Sequence, residues 1–488
     1  MSFPMTKTDF LAGLQCSKRL WLSIRLPELA TPLTLAQRQR RKQGTAIGVY
    51  ARQSFPDGQL LTGTLPEILE KTQQLIATGA SCLFEAAFIF DDILVRCDIL
   101  RQTKTGEWEI IEVKSSTKVK DEHIPDLALQ KYVLSGLGLR ITNTFILVVN
   151  PLAENWDNLG QRFNLHNVSA AVERWSAHLE ETLRYFREIL NQSIEPDITI
   201  GRHCHQPEIC SFKAHCWQGI PQRSVLDIPR LKRRKLEQLL NQKIVNLQDV
   251  PADFPLTEAQ RQFITLTLAN QPEIDRDYLQ AQWQKLQFPL YFLDVEALGD
   301  AVPRFPGLRP YEKCVFQFSC HVLQEPDQLF HREYLHPIAT DPRSPLLQAL
   351  IESIGEQGSI VVYHQSFEAK ILKKLGKTFP EHAVKLNQMI DRLWDLQLIF
   401  KHAYHHPGFQ GSTSLKKVLP VLVPTLSYQD LTIQSGEEAP LVWTAMLECQ
   451  DEEERAKMFA DLQAYCRLDT LAMVEIYRYL SHLLNSKI

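Results

Sequence analysis

The chain has 488 residues, 44% of them apolar and 23% charged, with a formal net charge of −4. These are the proportions of ordinary globular protein, long enough for two domains with separate cores. The charge excludes a uniformly basic nucleic-acid coat but permits a locally basic groove, and no apolar run reaches the roughly 18 residues that suggest a membrane span.

The first residues, "MSFPMTKTDFLAGLQC", lack the apolar stretch of a secretory signal. A cytoplasmic location is therefore expected, and the ten cysteines then point to metal ligation or burial instead of disulfides.

Residues 1–220 alternate strand-like and helix-like segments. "SCLFEAAFIF", "ILVRCDILRQ" and "EWEIIEVKSS" are predicted strands, with "TKTGE" as the turn between the last two, and "ITNTFILVVN" is a further buried strand. Val172, Trp175, Leu179, Leu183, Phe186 and Leu190 recur at steps of three and four, which predicts an amphipathic helix over 168–191. Residues 221–285 lack strand signals and read as a short helical linker. Their basic run, "RLKRRKLEQLLNQK", suits either a solvated helix face or a DNA-backbone contact. From 286 to 488 a second α/β pattern runs through "FPLYFLDVEAL", "CVFQFSCHVL" and "SIVVYH". It closes in a long helix around "LQAYCRLDTLAMVEIYRYLSHLL".

Chemistry concentrates first in "ILVRCDILRQTKTGEWEIIEVKSST". Asp98 and Glu112 lie on neighbouring strands, and the period of two sends Glu112 and Lys114 to one face. Two carboxylates joined across a hairpin can hold Mg²⁺ or Mn²⁺. A lysine beside them can orient or deprotonate the attacking water and screen the charge building on a phosphodiester. Alone, a Glu-Val-Lys triplet is more often a surface ion pair. In its setting the segment resembles the RecB-like branch of the PD-(D/E)XK nucleases, in which an Asp is followed by Glu-X-Lys. The resemblance implies a restriction-endonuclease-like α/β fold for 1–220, with Asp98, Glu112 and Lys114 at its site. It also implies a further metal-side acid at Glu85 in "FEAAF" and a site-lining Gln130 in "DLALQKYVL". Where such enzymes carry a tyrosine four residues after the glutamine, this chain has Leu134, with Tyr132 two residues earlier.

In "RHCHQPEICSFKAHCW", Cys204, Cys210 and Cys216 stand at equal spacings of six. An iron–sulfur cluster or a structural zinc takes four ligands. The same resemblance, extended to AddB-type and CRISPR-associated exonucleases, implies a [4Fe–4S] cluster with Cys16 of "LQCSKRLWL" as the fourth. Zn²⁺ with His203, His205 or His215 as a substitute ligand is an alternative, as are three inert buried thiols. Cys82, Cys97, Cys314, Cys320, Cys449 and Cys466 lie in apolar segments and are expected in the core.

In the last part, Asp294 and Glu296 of "YFLDVEAL" share one strand face, while Tyr465 and Asp469 of "AYCRLDT" share one helix face. Acids from a strand and a distant helix can converge on two metal ions. The pattern resembles the RNase H-like DEDD exonucleases of the tyrosine subclass. That implies an RNase H-like domain over 286–488 in which Tyr465 holds the nucleophilic water. Glu368, in "VVYHQSFEAKIL", stands where those enzymes carry an aspartate. Asp395 in "RLWDLQLIF" is another acid that could enter the site, and "GSTSLKKVLP" is similar to their segment between the middle and last motifs.

The whole chain resembles a family of RecB-like nucleases with a C-terminal domain of unknown function. The expected activity is a metal-dependent nuclease, a DNA exonuclease acting on single strands or ends in repair, recombination or defence. A nucleic-acid-binding scaffold with one or both sites inactive, or an RNA-processing exonuclease, is the alternative.

Overall fold

Apolar residues alternate along 82–90 and 93–102, and the computed structural model, which describes residues 4–221 and 223–486, folds both stretches as strands, Cys82–Phe90 and Ile93–Gln102. Trp108–Lys114 and Ile141–Val149 follow as expected. These four form the middle of a seven-stranded sheet, flanked by Gln59–Leu60 and Phe163–Asn167, with Met5–Thr6 parallel to Ile93–Leu94. Trp108–Lys114 and Ile141–Val149 run parallel. Parallel neighbours need a crossover, and the helix Ile124–Gly136 supplies it, burying Leu127, Ala128, Val133 and Leu134 against the sheet. The helix predicted over 168–191 is two, Ser169–Ser176 and Leu179–Leu190, interrupted at Ala177–His178; the predicted stripe packs on the sheet's core, Trp175 and Leu190 half-buried, while Ile189 is buried in a separate cluster with Trp21 and Leu22.

The chain divides into two compact units, 1–219 with 300–312, and 220–299 with 313–488. Residues 300–312 follow the strand Leu290–Leu298 in sequence, yet Ala301 packs with Ile47 and Val149, and the Tyr311 hydroxyl donates to the Ser115 carbonyl.

In the second unit a five-stranded sheet has the order Gln328–Leu335, Cys314–Glu325, Leu290–Leu298, Ile360–Val362, Leu393–Asp395. The first three strands are antiparallel, and the last two run parallel to the third. Leu290–Leu298 is apolar almost throughout because both its faces are covered. Tyr291, Leu293 and Val295 enter a core with Leu346, Leu350 and Ile371. On the other face Phe292 meets Tyr477 of the 34-residue helix Glu452–Asn485. The period of two therefore turns Asp294 and Glu296 toward that helix.

The stretch 221–285, expected as a linker, lies in the second unit and has its own apolar cluster of Val225, Leu239, Leu247 and Phe254. Few strand signals did not mean no core. Its basic run starts the helix Arg233–Asn241, where Lys232, Arg233 and Arg234 face solvent and Leu239 and Leu240 are buried. A short strand, Glu273–Ile274, pairs with Tyr404–His405. Of the six cysteines expected in the core, Cys449 departs: it is half-buried where the helix Ala439–Glu448 ends. Among the described residues no helix is long and apolar enough to cross a membrane.

Candidate metal centres

In the first unit, Glu112 and Lys114 sit at the end of one strand and Asp98 on its hairpin neighbour. Glu112 is 2% exposed and Asp126, from the crossover helix, 1%. Lys114 Nζ donates to Glu112 Oε1 at 2.7 Å and to Asp126 Oδ2 at 2.8 Å. Gln130 Nε2 donates to Glu112 Oε2 and Asp126 Oδ1, both at 2.8 Å. Asp98 Oδ2 accepts the Val113 backbone N–H at 2.7 Å. A cavity of about 370 Å³ is lined by Glu85, Asp98, Glu112, Lys114, Arg52 and Gly48, among others. Glu85 has φ 60°, between the ladder pairs Phe84–Ile99 and Ala86–Cys97, and its carboxylate meets Arg52 at 3.3 Å. A left-handed non-glycine residue inside a strand costs of order 1–3 kcal/mol, and such strain gathers at functional sites.

The two central acids are tuned apart. Burial and the neighbouring Glu112 charge push Asp98 up to about 7. Burial would also raise Glu112, but the Lys114 and Lys7 ammoniums hold it well below the usual carboxylate range. Asp98 thus lacks a sufficient counter-charge, while Glu112 already has two cations. Glu85, Asp98, Glu112 and Lys114 line one cavity, and Gln130, expected to line it too, is fully buried behind Glu112, to which it donates. Asp126 and Lys7 were missed. Asp126 was legible, four residues before Gln130 on one helix face; Lys7 lies 105 positions from Glu112 and carried no signal. Tyr132 instead donates to Asp91 at 2.8 Å and is not among the cavity's lining residues.

Cys16 ends the helix Lys7–Gln15 and starts the helix Ser17–Arg25. It lines one small cavity with Cys204, Cys210, Cys216 and His203. Hydrogen bonds with Cys16 and Cys204 push His203 up to about 10. Burial raises the Cys204 thiol, yet His203 and the Gly201 backbone outweigh it and bring Cys204 down to about 7. The other histidines weighed as zinc ligands face elsewhere: His205 packs on Trp217, ring centroids 5.3 Å apart, and His215 pairs with Glu195 at 3.0 Å.

The second unit brings Asp294, Glu296 and Asp469 together, one ligand atom from each lying within 4.8 Å of the others. Among the described residues this is the group of three or more possible ligands that meets that distance. Tyr428 donates to Asp469 Oδ1 at 2.6 Å, and Lys416 Nζ to the Tyr465 hydroxyl at 3.0 Å. Asp294, Glu296, Glu368, Lys313 and His364 line a cavity of about 410 Å³. Burial, and after it the Asp469 charge, push Asp294 and Glu296 well above the carboxylate range. Burial raises Asp469 to about 6 and Glu368 to about 8. Glu368 Oε2 is buried without a hydrogen-bond partner.

Glu368 therefore borders the site as expected but is not one of the three clustered ligands. Asp395 does not enter: its carboxylate accepts the backbone N–H groups of His364, Gln365 and Gln397 at 3.0, 3.2 and 3.0 Å. It holds the turn at His364, φ 89°, from which the Glu368 helix starts. Lys416 and Tyr428 were not anticipated. Lys416 lies in the "SLKK" that the sequence singles out; Tyr428 had no signal. Hard divalent cations are the natural partners of such a carboxylate set.

Residues 291–414 match a family described as a domain of unknown function, DUF2779. The match includes Asp294, Glu296 and Glu368 and stops before Lys416, Tyr465 and Asp469. The uncharacterized protein MG366 homolog of Mycoplasma pneumoniae is 27% identical over 226 residues, 42% of this chain and 34% of that protein. The uncharacterized protein UU173 of Ureaplasma parvum is 25% identical over 48% of this chain and 37% of its own length. The matched stretches span about a third of these curated relatives. The crystal structure of SSO0001 aligns over 44% of this chain and 86% of its own, at 17% identity and a TM-score of 0.21, too weak a likeness to bear on the fold.

Proposed function

We propose that the chain is a metal-dependent nuclease, with a PD-(D/E)XK-type first unit and an RNase H-like, DEDD-type second unit. Its substrate on this reading is DNA, single-stranded or at an end. The convergence of half-buried Asp294 with buried Glu296 and Asp469, short of counter-charge, carries the proposal. Mg²⁺ or Mn²⁺ fits those three residues, and in the first unit Asp98 and Glu112 with Glu85 alongside. Bound there, the ion would supply Lewis-acid polarisation of the phosphodiester and a more acidic water.

The side chains divide the remaining work. Lys114 is held charged by Glu112 and Asp126 although burial opposes it, so it acts as a fixed cation facing phosphate and not as a base. Burial and the nearby carboxylates push the Tyr465 phenol far above its ordinary range. It stays protonated and orients a water by hydrogen bonding. Lys416 in turn holds that hydroxyl. Four thiols with one histidine form a soft donor set, and a [4Fe–4S] cluster suits them. Zinc on the same four thiols is the alternative, and metal content with the visible absorption of the purified protein decides between the two.

The test is digestion of single-stranded DNA labelled separately at each end, by protein purified without oxygen, with Mn²⁺, Mg²⁺ or EDTA. Lys114→Ala and Asp469→Asn run alongside, with RNA as competitor. Metal-dependent shortening lost in one variant assigns the working unit. No cleavage of either polymer overturns the proposal and leaves a binding scaffold.

A further inference from the structure

The first unit sets a second ammonium against Glu112. Lys7 Nζ lies 2.8 Å from Glu112 Oε1 and 3.2 Å from Asp126 Oδ1. Lys114 Nζ takes the same Glu112 oxygen at 2.7 Å and the other Asp126 oxygen at 2.8 Å. Two lysines and two carboxylates close a ring. A carboxylate offers about four lone-pair directions. Lys7 and Lys114 fill both on Oε1, and Gln130 fills one on Oε2. A single direction on Oε2 is left for a cation, so Lys7 helps decide how Glu112 presents itself.

Lys7 is the first residue of the nine-residue helix Lys7–Gln15. At its start Thr6 and Asp9 cap one another, and Met5–Thr6 is tied into the sheet. At its end stands Cys16, and Gln15 Nε2 donates to the carbonyls of His203 at 2.6 Å and Glu208 at 2.8 Å. Phe10 seats the middle of the helix in the core. A helix of this length is a rod of about 13 Å. One end meets the acidic cavity and the other the thiol cavity.

We propose that Lys7 is a positioning residue for Glu112, and that the metal-loaded thiol centre sets its place through the Lys7–Gln15 helix. The inference rests on the nuclease reading of this site and on metal at the four thiols. A metal held by Cys16, Cys204, Cys210 and Cys216 would fix the far end of the rod. Without it, that end keeps the Gln15 bonds, the Arg19–Glu208 pair and the packing of Leu20 and Trp21, and Lys7 spends part of its time outside the ring.

The test measures acylation of individual lysines in the full-length protein by isotope-labelled acetic anhydride and mass spectrometry. In protein purified without oxygen, Lys7 should react roughly tenfold more slowly than the exposed Lys104 and Lys118, as expected of an amine held in ion pairs. Stripping the thiol metal, or Cys16→Ser, should bring Lys7 to within about threefold of them with Lys114 unchanged. Should Cys16→Ser not fold, stripping the metal from the wild type decides alone, and Gln15→Ala in the loaded protein should leave Lys7 labelling unchanged, because the metal and not Gln15 then fixes that end. In cleavage assays Lys7→Met should lower kcat about tenfold at constant KM, and Lys7→Arg should restore it. Fast labelling of Lys7 in the loaded protein, labelling indifferent to the thiol metal, or an unchanged kcat in Lys7→Met would each overturn the inference. A wild type that cleaves nothing counts against the nuclease reading, and the labelling still decides the link.

Discussion

Asp469→Asn should make the metal-free protein more stable and the metal-loaded protein less responsive. Asp469 is buried beside Asp294 and Glu296, and burial raises it to about 6. In an unfolded chain an aspartate titrates near about 3.9, and about two units at 1.36 kcal/mol each set an upper bound of about 3 kcal/mol. A raised acid favours the fold fully below about pH 4, and that contribution is lost as pH rises through about 6. Asparagine keeps an oxygen for the Tyr428 hydroxyl, so most of the gain should survive at pH 8. A gain of about 1–3 kcal/mol corresponds to a Tm rise of about 2–10 °C for a unit of this size. The rise should vanish near pH 4. Manganese at a hundred times its Kd should stabilise the wild type by about 2.7 kcal/mol, and the variant should lose most of that shift. The assay is scanning calorimetry on protein dialysed free of Mg²⁺ and Mn²⁺, then repeated with Mn²⁺. A variant less stable than wild type at pH 8 without metal would refute the reasoning and make Asp469 a structural partner of Tyr428. An undiminished Mn²⁺ shift would remove Asp469 from the metal site.

Lys114→Ala should abolish cleavage by the first unit. It should cost less than the about 3–5 kcal/mol of breaking a lone buried pair, because Lys7 still faces both carboxylates; thermal melts beside the DNA assay measure both effects. Trp443 is fully buried, stacked on Phe316 with centroids 4.5 Å apart, and its indole N–H donates to the His336 carbonyl at 2.8 Å. Trp443→Ala should therefore lose about 3–5 kcal/mol in urea unfolding, and a loss under about 1 kcal/mol would show that the site collapses around the gap. Cys210→Ser should lose the brown colour and much of the stability of the first unit; a variant that stays brown and folded ends the cluster assignment.

The central strands of both sheets were legible because apolar residues repeat at a period of two or run unbroken where both faces are covered, whereas Met5–Thr6, Gln59–Leu60, Phe163–Asn167, Gln328–Leu335 and Leu393–Asp395, short or half-exposed, carried too little of that pattern. The carboxylate pairs were legible for a related reason. Asp294 with Glu296, and Tyr465 with Asp469, lie within one element, where local periodicity fixes the face. Groups that reach a site from far along the chain left no such trace, which is why Lys7 and Tyr428 came only with the fold. Asp395 shows the converse limit. Its setting resembles that of a site acid, but the three backbone donors around it are a consequence of the turn at His364, and no spacing rule contains them. The helix break at Ala177–His178 and the core within 221–285 were hidden likewise, since each depends on packing partners distant in sequence.

The excursion of residues 300–312 bears on how this protein can be dissected. A fragment ending near residue 220 lacks the piece that packs Ala301 on Ile47 and Val149 and that carries the Tyr311 hydroxyl to Ser115, the residue after Lys114. The amputated half would expose apolar side chains along its wound and release the backbone next to a proposed active-site lysine. Inactivity of such a fragment would then report the surgery and not the chemistry. Point variants in the intact chain are the sounder tools for assigning work to either half.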